Sequence, residues 1–122
     1  MGTSELDTRR VRAAKNQSVF RDVNERIENI TEGFAPVARR TIEFVCECAH
    51  PDCSEVIGIT HGEYESIRRF PTHFAVKSGH DISEVEQIVA GNARYIIVSK
   101  LGTAGQAAIR LDPRGAYRQV SA

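Results

Sequence analysis

"FVCECAHPDC", residues 44–53, carries all three cysteines of this 122-residue chain. Ile42, Phe44, Cys46 and Cys48 fall at alternate positions, with Glu43 and Glu47 on the opposite face. A strand here buries its apolar side and carries two thiols off the end of that side. Pro51-Asp52 then turns the chain, so Cys53 can fold back to the same point. Three thiols cannot pair off as disulfides. Zinc takes four tetrahedral ligands and suits thiolates at ~2.3 Å. Cys46, Cys48 and Cys53 are therefore expected to share a Zn²⁺ with one further donor.

The chain offers four histidines for that position. His50 lies inside the turn between two ligands, where reaching inward is tight, and Asp52 is a poor alternative. His61 and His73 flank a short helix expected after Thr60. His80 follows a glycine at the end of a strand, where a side chain can be aimed at a neighbouring loop, and it is the expected fourth ligand. A catalytic zinc keeps one position open for water, whereas three cysteines and a histidine close the sphere, so the expected ion is structural. Rival readings are three buried free cysteines, a Cys46–Cys48 redox couple with a strained ring and a thiol left over, and a Cys3His iron–sulfur cluster.

Downstream of the cysteines the pattern is short and β-rich. Glu55 to Thr60 reads as a returning strand. Thr60 and Glu63 form a capping box for a helix with Tyr64 and Ile67 inward that stops at Phe70-Pro71. His73 to Lys77 is a strand, followed by a turn at Ser78-Gly79-His80. Val85 to Val89 and Arg94 to Ser99 favour a hairpin around Ala90-Gly91-Asn92 over a two-turn helix capped by Ser83. Gly102 to Arg110 suits a short helix.

Upstream, Phe20, Val23, Ile27, Ile30, Phe34 and Val37 recur at spacings of 3 and 4, an a/d pattern on a helix. Ala13 and Asn16 extend it backwards as it fades. Ser4 with Asp7 offers an N-cap, and Gly33 with Pro36 marks the end. A helix from Glu5 to Glu32 would be ~40 Å long at ~1.5 Å per residue, so part of it is expected to project or to pack on a second copy. Its apolar residues either cover the chain's own sheet or form a seam (Phe20, Val23, Ile27, Ile30) for a second copy or a protein partner. Arg9, Arg10, Arg12 and Lys15, with Arg21, make the outer half basic, a possible contact for nucleic acid or an acidic partner. Asp22, Glu25, Glu28 and Glu32 make the inner half acidic, and charge runs like these two are the usual mark of a solvated face.

The architecture expected is a single α+β protein with a long N-terminal amphipathic helix, a small antiparallel sheet and one or two short helices, stapled by metal. Its parts are a helical arm over 1–36, the zinc-stapled domain over 37–112 and a frayed tail over 113–122. Sixteen basic and sixteen acidic residues cancel, so no global field draws the chain to nucleic acid or to an anionic membrane. The longest apolar run, Tyr95 to Val98, is far below the ~20 residues of a membrane span. The first twelve residues are polar, unlike a signal peptide. A cytoplasmic setting is expected, where clustered thiols stay reduced and bind metal.

The run Phe44-Val45-Cys46-Glu47-Cys48 with Cys53, then Glu63-Tyr64-Glu65, Pro71-Thr72, Phe74, Gly79-His80, Val85-Glu86 and Tyr95 to Lys100, resembles a family of small uncharacterised proteins found mainly in actinobacteria. Similar sequences read F-V-C-E-C-x4-C, then L-T-x-x-E-Y-E, then V-A-P-G-H, and often begin with a helix like Asn16 to Ile27. The likeness covers about residues 10 to 112. It implies the same fold and favours His80 as the fourth ligand, with departures at Ile59 to Gly62 and at Lys77-Ser78.

Other chemistry is poorly served. His61-Gly62-Glu63 matches the H-x-E of zinc deaminases, but no P-C-x-x-C follows. No G-x-S-x-G or phosphate loop occurs, and Gly102 to Gly105 lacks the flanking helices of a KH domain. The function expected is a non-enzymatic zinc-binding interaction or regulatory module that presents its helix. The alternatives are a nucleic-acid-binding regulator using the basic half-helix and a zinc- or thiol-based redox sensor.

Overall fold

The computed structural model describes residues 5–32 and 40–114. Ser4, Gly33, Phe34, Pro36, Val37 and the end of the tail, 115–122, lie outside the described residues. The elements run α1 (Glu5–Glu32), β1 (Ile42–Val45), β2 (Val56–Ile59), α2 (His61–Arg68), β3 (His73–Val76), β4 (Glu86–Gly91), β5 (Ile96–Lys100) and α3 (Gly102–Leu111). The class is α+β, as expected. No helix among the described residues is long and apolar enough to cross a membrane.

The strands divide into two antiparallel sheets instead of one. β1 and β2 form a hairpin in which Ile42 faces Ile59 and Val45 faces Val56. The second sheet has the order β3-β5-β4. The segment after β1 joins them: Cys46 N–H donates to Glu55 O at 3.0 Å on the hairpin side, and Glu47 N–H donates to Ala75 O of β3 at 2.8 Å. The chain thus changes partner between one ligand candidate and the next residue.

Apolar burial follows from the alternation. Phe44 and Tyr64 stack at 4.6 Å between centroids, inside a cluster with Ile57, Ile59, Ile67, Ala75 and Tyr95. Phe74, Val76, Val98 and Ala108 form a second cluster with Cys46 and Cys48. The α2 capping box is made in full, Thr60 Oγ1 accepting from Glu63 N–H and Glu63 Oε1 from Thr60 N–H. Residues 86–91 are strand, so the hairpin reading holds, with a bulge between Ile88 and Ala90.

Helix α1 departs most from expectation. It does not project: Ala14 packs with Ala104 and Ala107 of α3, and Ile27 lies against the Phe44–Tyr64 cluster. Its buried face is polar, made by Gln17, Arg21, Asn24 and Glu28, with Ala13 and Ala14 towards the N-terminus. The apolar row Phe20, Val23, Ile27 and Ile30 is one residue out of phase with it, about 100° around the helix. Val23 and Ile30 are therefore exposed, at 39% and 63%, while Phe20 and Ile27 are half-buried.

In the acidic inner half of α1, Asp22 is exposed but Glu25 and Glu28 are turned to partners within the chain. Glu25 accepts from Tyr64 Oη at 2.6 Å, pairs with Arg68 at 3.1 Å and with Arg114 at 2.7 Å. Glu28 also pairs with Arg114, at 2.9 Å. Arg114 and the buried Asp112, which pairs with Arg68, are therefore held against the rest of the chain.

Candidate metal centre

Three local devices bring the ligands together. The extended segment past β1 points Cys46 and Cys48 to one side and Glu47 to the other. The turn 50–53 is closed by Cys53 N–H donating to His50 O at 3.1 Å. The turn after β3 is closed by His80 N–H donating to Lys77 O at 2.9 Å, with Gly79 at φ +91°. That conformation is natural only for glycine, and it aims His80 across the chain.

The atoms converge as a tetrahedral site requires. With metal–sulfur bonds of ~2.3 Å and a metal–nitrogen bond of ~2.0–2.1 Å, the S···N edge is about 3.6 Å and the S···S edge about 3.8 Å. His80 Nδ1 stands 3.6 Å from Cys46 Sγ and 3.6 Å from Cys53 Sγ. The ligand atoms of Cys46, Cys48, Cys53 and His80 all lie within 4.8 Å of one another, so the widest edge closes by at most about 1 Å to reach the ideal. The group can hold a metal ion. All three cysteines are free thiols, two of them buried.

Lys77 N–H donates to Cys46 Sγ at 3.2 Å, a bond that steadies a thiolate. The Cys48 thiol is lowered to about 4 by its hydrogen bond with Cys46. Cys46 is pushed up by the same bond and then by burial, and Cys53 is pushed up by burial. Crowded thiolates repel, so the cluster resists full ionisation on its own. A divalent cation reverses that logic for all three.

The other histidines are placed elsewhere. His50 is exposed, its ring edge-on to His80 with centroids 6.1 Å apart. His61 lies 3.3 Å from Thr31 Oγ1, and His73 stacks on Phe70. The four cations of the possible nucleic-acid patch divide: Arg9 pairs with Glu84 at 3.2 Å and Arg10 donates to Glu84 O at 3.1 Å, while Arg12 and Lys15 face solvent. Arg21, counted with them from sequence, is buried, held over the Phe74 ring at 3.6 Å and donating to the carbonyls of Pro71 and His73. Burial lowers its pKa to about 10.

The sequence reading missed what lies behind the ligands. Side-chain amides of α1 act as a surrogate strand for residues 45–49. Asn24 Nδ2 donates to Val45 O at 2.9 Å and Val45 N–H donates to Asn24 Oδ1 at 2.8 Å. Gln17 Nε2 donates to Glu47 O at 3.0 Å, and Asn16 Nδ2 to Ala49 O at 3.2 Å. The fully buried carboxylate of Glu47 accepts from Asn24 Nδ2 at 2.9 Å and from Ala75 N–H at 3.1 Å, with Arg21 at 3.8 Å. Gln17 also reaches Glu86, whose carboxylate pairs with buried Lys100 at 2.8 Å. The sequence did hold a signal: polar residues at 17, 21, 24 and 28 keep helical spacing, and Glu47 sits between two buried cysteines.

No protein-family model, curated protein or solved structure matches the chain.

Proposed function

We propose that Cys46, Cys48, Cys53 and His80 bind one structural Zn²⁺, and that the protein is a non-enzymatic zinc-stapled module that works by presenting a surface. The single observation that carries this reading is the convergence of three Sγ atoms and His80 Nδ1 within 4.8 Å. Sulfur-rich, tetrahedral donor sets select zinc over magnesium or calcium, which prefer oxygen. Four protein ligands leave no position for water or substrate, and Cys46 and Cys48 are buried at 1% and 0% exposure. Both features favour a structural ion.

The ion ties together the ends of β1 and β3 and the turn 50–53, while α1 grips the same segment from behind. Binding energy at such a site is folding energy. The outward residues Val19, Val23 and Ile30 of α1, 62%, 39% and 63% exposed, are the surface we assign to a protein partner, since the polar face of the helix is spent on the interior.

The test is metal content. Protein purified without added metal should carry one equivalent of zinc through gel filtration and release it when the thiols are alkylated under denaturing conditions. Zinc below about a tenth of an equivalent, in protein that is nevertheless folded, would contradict the assignment.

A further inference from the structure

The two sheets leave four outer strand edges, and on three of them side chains meet outward backbone groups. On β1, Asn24 satisfies both the N–H and the carbonyl of Val45. On β2, the Arg94 guanidinium donates to Gly58 O at 2.7 Å. On β3, Arg21 meets His73 O, Glu47 meets both backbone groups of Ala75, and Cys46 Sγ accepts from Lys77 N–H. These are the devices by which proteins prevent edge pairing.

On the edge of β4 no side chain does this among the described residues, and of its outward groups the Glu86 N–H is met by Ile82 O at 3.1 Å. The strand pairs with β5 alone. Leu101 N–H donates to Val85 O, and the antiparallel alternation set by that bond turns the N–H and carbonyl of Ile88 away from β5. Gln87 to Gly91 are exposed throughout. Ile88 and Val89 are 54% and 43% exposed, on a strand with neither proline nor lysine. No charged residue stands between Glu86 and Arg94, and the Glu86 carboxylate is turned inward onto Lys100.

We infer that β4 is a self-pairing edge: two copies of the chain join β4 to β4 antiparallel about a two-fold axis centred on Ile88. The order becomes β3-β5-β4 continued by β4-β5-β3 of the second copy, one six-stranded sheet. A second copy suits this edge because the uncharged run meets itself without like charges opposite, and each Ile88 brings one free donor and one free acceptor to the other. Residues before Ile88 in one copy face the bulged residues after Ile88 in the other, so the bulge confines the reciprocal hydrogen bonds to the Ile88 pair itself.

Sedimentation of the full, metal-loaded chain over a range of concentrations tests this, with hydrogen exchange at both extremes. The expected result is a monomer–dimer equilibrium and an Ile88 amide that exchanges at least tenfold more slowly in the dimer. Ile88→Lys should weaken the dimer at least tenfold. Ile88→Pro, which removes only an outward N–H, should do the same, and each variant should keep the metal content of the parent. A monomer at every concentration overturns the inference. So does a dimer that survives Ile88→Lys and Ile88→Pro, a dimer lost instead in Val23→Lys on α1, or open-ended growth beyond two copies.

Discussion

Asn24→Ala tests most sharply whether a helix side chain holds the ligand-bearing segment in place. Asn24 makes three hydrogen bonds, to Val45 O, from Val45 N–H and to the Glu47 carboxylate, at 2.9, 2.8 and 2.9 Å. Alanine leaves the donor and acceptor of Val45 unpaired, and Glu47 keeps Ala75 N–H and the more distant Arg21. Each orphaned buried group costs about 1–3 kcal/mol, so two orphans and a weakened carboxylate site predict a loss of about 3–6 kcal/mol. Small domains have only about 5–15 kcal/mol in total. Urea unfolding of the metal-loaded protein should therefore show a much lower midpoint at unchanged slope. Asn24→Asp should be at least as damaging, since it keeps only the bond from Val45 N–H and sets a second carboxylate beside Glu47. A loss below about 1 kcal/mol for alanine would mean that water replaces the side chain and that the surrogate-strand argument is wrong.

Other consequences follow from single features. Cys46→Ser or Cys53→Ser should leave the protein largely insoluble, because the staple is lost with its binding energy; recovery of soluble, cooperatively unfolding protein is the contrary result. Gly79→Ala meets open space but must adopt φ +91°, so calorimetry should register a loss of about 1–2 kcal/mol, together with weaker competition for zinc against a chelator as His80 is displaced. Glu28 is pushed up to about 8 by burial and by the neighbouring Glu65 carboxyl. A raised folded pKa stabilises below the unfolded value of 4.5 and is lost as pH rises through about 8. The difference in stability between Glu28→Gln and the parent should therefore move in favour of the variant as pH goes from 5 to 8, and a pH-independent difference would refute the shift.

Alternation and turn chemistry carried much of the fold. The strand through Ile42 and Phe44, the Thr60–Glu63 capping box, the Gly79 turn and the 86–100 hairpin are local features that read directly from residue spacing. The Cys3His cluster was legible because three thiols within eight positions invite a common centre and only one histidine follows a glycine able to aim it. Helix α1 misled because periodicity reports which residues are apolar, not which face is buried. Here the interior asks for hydrogen-bond donors: segment 45–49 and strand β3 have free backbone edges, and Gln17, Arg21 and Asn24 answer them. Apolar Val23 and Ile30 are consequently left outside. Glu25 and Glu28 read as a solvated run because their partners, Arg68 and Arg114, lie at least 40 residues away in sequence. Long-range pairing of that kind leaves no local trace. The division into two sheets was equally hidden, since it depends on residues 46 and 47 changing partner.

X-ray absorption at the zinc edge of the purified protein addresses the central claim directly. The account predicts a first shell of three sulfurs at ~2.3 Å and one nitrogen at ~2.0–2.1 Å, with the imidazole scattering lost and a light oxygen gained in His80→Ala. A shell dominated by oxygen or nitrogen, or a sulfur-and-nitrogen shell unchanged by removing His80, would contradict it.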